Sequence, residues 1–195
     1  MSEIQDLFKI PVYKTSLSLD NKALASYCLS MCKKDKGRTR SNVGGWQSGD
    51  IFQGQVDNGI LKDLFLHISS HSNKFLKSLD FTNNLILGNC WININGYKDV
   101  NREHIHPGAI LSGVYYVQTP KDCGNIYFNH PNYSTFQYEW AQLNNKGWNE
   151  YNSSQWFLPS HQGILYIFPG WLTHRVNPNL NKKEKRISIS FNLYK

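Results

Sequence analysis

Three histidines and an arginine carry the chemical potential of this 195-residue chain: the pair His104 and His106, the distant His174, and Arg186 soon after it. Side chains alternate between faces along an extended segment, so histidines at i and i+2 present both imidazoles to one side, where they can share an ion. A third histidine from a remote strand closes one face of a coordination sphere. The pair reads as the start of a strand-like run, with Pro107-Gly108 as a turn directly after it. Neutral imidazole suits iron, copper, nickel and zinc alike, so the triad alone does not choose a metal. Arg186 opens the run Arg186-Ile187-Ser188-Ile189-Ser190-Phe191, where alternation places Arg186, Ser188 and Ser190 together and the apolar residues opposite. A polar face headed by arginine suits a buried carboxylate, which the planar guanidinium pairs bidentately.

The elements that must hold these residues are legible as two textures. Asp20 is a candidate N-cap for a helix through about Lys34, with Ala23, Leu24, Tyr27, Cys28 and Met31 at helical spacing and Gly37 ending it. A second amphipathic stretch runs from Asn58 to Leu79. It contains His67 and His71 at i, i+4 but no third ligand nearby, and these read as solvated helix histidines. From Leu85 onward, short apolar and aromatic runs broken by Gly, Asn and Pro predict strands at Leu85–Asn95, Leu111–Gln118, Gly124–Phe128, Gly163–Phe168 and Arg186–Tyr194. The polar segment between Asn129 and Pro159, carrying Trp140, Trp148 and Trp156, is too long for a plain connector and predicts a lid or an extra hairpin. We expect one domain over 1–195, with a helical preface and early strands in 1–82 and the β core in 83–195.

Composition bounds the function. A chain of this length buries a core without disulfides or structural metal, so a metal here points to activity. Four cysteines without a Cys-Xaa-Xaa-Cys pair suit reduced thiols and a cytoplasmic setting, and no membrane-spanning apolar run is present. The net charge of +7 rests partly on clusters at Lys33–Arg40 and Lys182–Arg186. The first reads most simply as the basic end of a helix, so nucleic acid is allowed as a partner but not favoured.

Six segments in order resemble a known family: His104-Ile105-His106, Ser112-Gly113-Val114-Tyr115-Tyr116-Val117, Gly124-Asn125-Ile126-Tyr127-Phe128, Phe168-Pro169, His174-Arg175-Val176 and Arg186-Ile187-Ser188. Their order and spacing resemble the Fe(II)/2-oxoglutarate-dependent oxygenases. The likeness is greatest to prolyl-hydroxylase-like proteins and to a related group common in marine phages and bacteria, for which the host cytoplasm is the implied location. The resemblance spans about Leu85 to Tyr194.

It implies a mainly β fold, a double-stranded β-helix or jelly-roll barrel with N-terminal helices packed against it. It further implies that His104, His106 and His174 hold Fe(II), that 2-oxoglutarate and O2 are cosubstrates, and that Arg186 grips the far carboxylate of 2-oxoglutarate. Tyr116 and Ser188 are implied as further donors to that carboxylate, with Tyr115 facing the other way. Asn93 or Asn95 is an implied polar contact from the preceding strand. The implied reaction is hydroxylation, with a peptidyl proline or another protein or amino-acid substrate favoured and a small molecule allowed.

One departure stands out: most members carry His-Xaa-Asp where this chain has His106. A neutral imidazole in place of a carboxylate leaves an Fe(II) site one unit more positive. A His-Xaa-His variant is the usual form in the phage-type group, and Glu103 and Asp99 are the neighbouring carboxylates that could substitute. Two other classes fit parts of the pattern. A three-histidine cupin-type dioxygenase would need no 2-oxoglutarate, and a non-enzymatic phage jelly-roll module would hold its metal incidentally.

Overall fold

The computed structural model describes residues 3–52 and 59–195. Eleven strands and three helices follow in the order β1 (Tyr13–Ser16), α1 (Asn21–Lys34), β2 (Asn42–Val43), β3 (Trp46–Gln47), α2 (Gly59–Ser78), β4 (Ile86–Asn95), β5 (Val100–His104), β6 (Leu111–Gln118), β7 (Ile126–Asn129), α3 (Tyr133–Glu139), β8 (Gln155–Leu158), β9 (Ile164–Pro169), β10 (His174–Val176) and β11 (Arg186–Tyr194). They build two antiparallel sheets, β1-β9-β6-β11-β4-β3 and β2-β5-β10-β7-β8. Such a pair of sheets is the jelly-roll arrangement expected from the sequence.

The alternation read in β11 decides which face does what. Ile187, Ile189, Phe191 and Leu193 are fully buried in the cluster that the large sheet shares with α1 and α2. Arg186 and Ser188 face the other way, between the sheets. The same split separates neighbours on β6: Tyr115 joins the helix-side cluster, and Tyr116 joins a second cluster with Val114, Ile126, Phe128, Tyr166 and Phe168. Gly113 is required where it stands, because a Cβ there would come within 2.2 Å of the Phe191 ring on the adjacent strand.

Both predicted helices form. Asp20 caps α1 by accepting a hydrogen bond from the Ala23 amide at 2.9 Å. The helix ends at Lys34, with Asp35 as C-cap, before Gly37 is reached. Helix α2 buries Leu61, Leu64, Phe65, Ile68, Phe75 and Leu76 against the large sheet, each such side chain contributing roughly 1.5–3 kcal/mol. Its expected first residue, Asn58, lies outside the described residues. No described helix is long and apolar enough to cross a membrane.

The segment between Asn129 and Pro159 is in part the extra hairpin: β8 pairs with β7, and the connection carries α3 and a 3-10 turn over Trp140–Gln142. Trp140, Trp148 and Trp156 are all about half exposed or more. None of them lines the cavity that holds the histidines.

Candidate metal and cosubstrate site

The histidine pair sits at the end of β5 rather than at the start of a strand. His104 is its last residue, and His106 follows in the loop with its amide on the Gly170 carbonyl at 2.9 Å. His174 opens β10 directly opposite His104. The register then slips, because His174 pairs with His104 while Val176 pairs with Asn101, leaving one extra residue in β5. This bulge lets both Asn101 and His104 line the interior cavity, and it displaces Arg102 and Glu103 outward.

One ligand nitrogen from each of His104, His106 and His174 lies within 4.8 Å of the others, and no other such cluster exists among the described residues. Two of the rings are fixed by backbone carbonyls: His104 Nδ1 lies 2.6 Å from Arg102 O, and His174 Nδ1 lies 2.9 Å from Leu172 O. A carbonyl only accepts, so each Nδ1 carries the proton and each Nε2 is left with a free lone pair. His106 Nε2 faces His174 Nε2 at 3.3 Å, a contact that a shared cation stabilises. The site therefore fits a metal ion.

Arg186 is 1% exposed and lines the same cavity. Its Nη1 donates to the carbonyls of Cys123 and Asn177, while its Nη2 is buried with no hydrogen-bond partner. A buried guanidinium nitrogen left unpaired is costly, and an incoming carboxylate relieves that cost. The Cys123 and Asn177 carbonyls are held together by close approach of two loops. Gly124, at φ +82°, touches the 177–178 backbone so tightly that a Cβ would lie 2.3 Å from Asn177 O.

Tyr116, Ser188 and Asn93 form one row across β6, β11 and β4, since Ser188 pairs with Tyr116 on one side and Asn93 on the other. All three line the cavity with Arg186. The Tyr116 hydroxyl and Asn93 Oδ1 are buried without hydrogen-bond partners, and Asn93 Nδ2 donates to Ser190 Oγ at 3.1 Å. Burial pushes the Tyr116 phenol up to about 12, so it remains a neutral donor. Asn95 pairs with Arg186 across the strands but does not line the cavity. The free volume is small, about 40 Å³, so a bound dicarboxylate must displace side chains from these positions.

A family model described as "Putative 2OG-Fe(II) oxygenase" matches residues 89–192, more than half of the chain. The chain belongs to this family. It is an Fe(II)/2-oxoglutarate-dependent oxygenase, with Fe(II) as its metal and 2-oxoglutarate and O2 as its cosubstrates. Its fold is similar to that of a Pseudomonas putida prolyl-4-hydroxylase, with 13% identity, TM-score 0.66, and 95% of this chain and 94% of that one covered. It is also similar to the viral collagen prolyl hydroxylase of Paramecium bursaria Chlorella virus-1 in its 2-oxoglutarate complex, with 12% identity, TM-score 0.58, and coverage of 93% and 94%. The α-ketoglutarate-dependent carbocyclase SnoK of nogalamycin biosynthesis matches with 13% identity, TM-score 0.67, and coverage of 94% and 79%. No curated protein sequence matches the chain.

The carboxylates beside the oxygenase's histidines are engaged elsewhere. Glu103 Oε2 accepts from Asn129 Nδ2 at 2.6 Å, and Asp99 Oδ2 accepts from the Gly96 amide at 2.6 Å. Neither joins the cluster of ligand atoms. His130 accepts a backbone hydrogen bond from Asn132 and lies tilted against Phe136, and His161 is exposed, both away from the cavity. His67 and His71 stack on α2, where His71 Nδ1 meets the Tyr13 hydroxyl at 2.8 Å. Sequence reasoning missed Ser41, Asn101 and Trp91 as cavity residues. Only Trp91 left a trace, sharing a strand face with Asn93.

Burial, followed by the charge of His104, lowers His106 from an ordinary 6.5 to about 4, and burial first also holds His174 well below and His104 below that value. Between those limits the unfolded metal-free chain takes up protons that the folded chain refuses, so stability falls as pH drops from about 7 towards 4. His106 alone accounts for a loss on the order of 2–3 kcal/mol. Urea midpoints of the metal-free protein at pH 7.5 and 5 check this: the midpoint falls at the lower pH, and a His106→Gln variant shows a smaller fall.

Proposed function

We propose that this oxygenase is a hydroxylase in which His104, His106 and His174 hold Fe(II). Arg186, with Tyr116, Ser188 and Asn93, holds the far carboxylate of 2-oxoglutarate. The observation that carries the reading is the unpartnered, buried Arg186 Nη2 in the same cavity as the three histidines. Fe(II), when bound with 2-oxoglutarate and O2, supplies the oxidative chemistry that converts 2-oxoglutarate to succinate and CO2 and a substrate C–H to C–OH.

What the chain itself contributes is position and exclusion of water. The Arg102 and Leu172 carbonyls fix the tautomers of His104 and His174, so both arrive with Nε2 ready to bind. Arg186 is held by two carbonyls through Nη1, which fixes the guanidinium and leaves Nη2 for the anion. The neutral Tyr116 phenol adds a donor without adding charge. Phe168, Val114 and Ile126 close the apolar side of the cavity against solvent.

A peptidyl proline or another protein or amino-acid substrate is favoured, supported by fold likeness to prolyl hydroxylases. The three-histidine dioxygenase that needs no 2-oxoglutarate gives Arg186 Nη1 a structural task but leaves Nη2 unexplained. Succinate release tests the proposal. With Fe(II), 2-oxoglutarate and O2 the chain is expected to form succinate slowly even without substrate, and His174→Ala abolishes it. Iron-dependent O2 uptake that proceeds at full rate without 2-oxoglutarate would overturn it.

A further inference from the structure

We propose that a groove beside the histidines binds an anionic substrate, and that Arg38, Arg40 and Arg102 hold its phosphate or carboxylate group. The inference rests on reading the histidine cavity as the reaction centre. The groove encloses about 740 Å³, within the range of roughly 300–1,000 Å³ common for small-molecule sites. Ser41, Trp91, His104 and His106 line both the groove and the cavity, so a molecule lying in the groove lies against the histidines.

The choice of cation is what separates this groove from an ordinary solvated face. The chain has five arginines and sixteen lysines. Three of the arginines and none of the lysines line the groove. Lysine serves solubility as well as arginine does, but only the guanidinium offers a planar fork that matches an oxyanion. The fold also works to place one of them, because the bulge in β5 moves Arg102 from the strand face to the groove.

None of the three forms an ion pair among the described residues. Among the described residues the only ion pair is Lys9–Asp6, far along the chain from the groove. The two carboxylates in the lining already serve as acceptors: Asp50 Oδ1 takes the amides of Phe52 and Cys90, each at 2.9 Å, and Glu103 Oε2 takes Asn129 Nδ2. Arg186 is separately committed to the inner cavity, so the groove arginines are free for a second anion. Trp91, its ring 5.6 Å from that of His106, supplies an aromatic surface at the junction.

The test reads the arginine Nε–H resonances of the full chain, loaded with Zn(II) as a diamagnetic, redox-inert stand-in. Inorganic phosphate and, separately, acetate are titrated at constant ionic strength. Arg38, Arg40 and Arg102 are expected to shift saturably with a common midpoint below about 10 mM, while Arg175 on the outer sheet face does not follow. Saturation by phosphate assigns a phosphorylated substrate, saturation by acetate assigns a carboxylate, and either supports the proposal. Arg40→Gln is expected to raise the midpoint at least about fivefold. Unsaturated drift of the three, or a parallel shift of Arg175, overturns it. No 2-oxoglutarate is present, so a failure here with an intact 2-oxoglutarate response rejects the groove and leaves the hydroxylase reading standing.

Discussion

Arg186→Gln is expected to weaken 2-oxoglutarate binding by about 2–5 kcal/mol, roughly 30-fold to several thousandfold in Kd, while Fe(II) binding stays within a few-fold of the parent. The size follows from where the side chain lies. A guanidinium that is 1% exposed meets its anion with little water to screen the attraction, and a variant without the charge leaves the carboxylate desolvated and uncompensated. Glutamine keeps one amide for the Cys123 and Asn177 carbonyls, so part of the loop support survives. Loss of the remainder costs about 1–3 kcal/mol of stability, which is measured separately by thermal unfolding. Arg186→Lys is expected to fall between the two, since it keeps the charge and loses the fork. Equal 2-oxoglutarate affinity in parent and Arg186→Gln would remove the arginine from the cosubstrate site.

His106→Ala is expected to weaken Fe(II) binding at least 100-fold, and His106→Asp to retain it. The three rings converge with Nε2 of His106 only 3.3 Å from that of His174, and Glu103 and Asp99 are held by other partners. No neighbouring carboxylate is free to take over when His106 is cut back. Aspartate at that position returns a charged oxygen donor and lowers the charge of the site by one unit, so affinity is kept while the spectrum of the bound iron shifts. Isothermal titration under anaerobic conditions reads the affinity. Unchanged Fe(II) binding in His106→Ala would reduce the site to two histidines.

The three histidines and Arg186 were legible from residue types and alternation, whereas Tyr116, Ser188 and Asn93 were reached through the family resemblance. In the fold Ser188, Tyr116 and Asn93 stand in one cross-strand row, although the pairing of β11 slips against β6 between Ile187 and Ser188 and against β4 between Asn192 and Leu193. Tyr115 and Tyr116, which the resemblance implied to face opposite ways, do fall into different clusters. Alternation fails within β5, where a bulge of one residue between Asn101 and His104 turns Arg102 away from the His104 face while leaving His104 and His106 together, and nothing in the residues from Val100 to His104 announces it. Carbonyl contacts were equally invisible: the fixing of His104, His174 and Arg186 depends on backbone atoms of Arg102, Leu172, Cys123 and Asn177, whose side chains carry no sign of the task. The strands β2 and β3 are two residues each, too short for any periodicity, yet the segment that contains them supplies Ser41 and two of the groove arginines.

The most direct measurement is an anaerobic titration of the Fe(II)-loaded chain with 2-oxoglutarate, followed by visible absorption. The account predicts a weak metal-to-ligand charge-transfer band that grows to saturation with 2-oxoglutarate and is lost in Arg186→Gln at concentrations that saturate the parent. A folded, iron-loaded chain that develops no such band contradicts it.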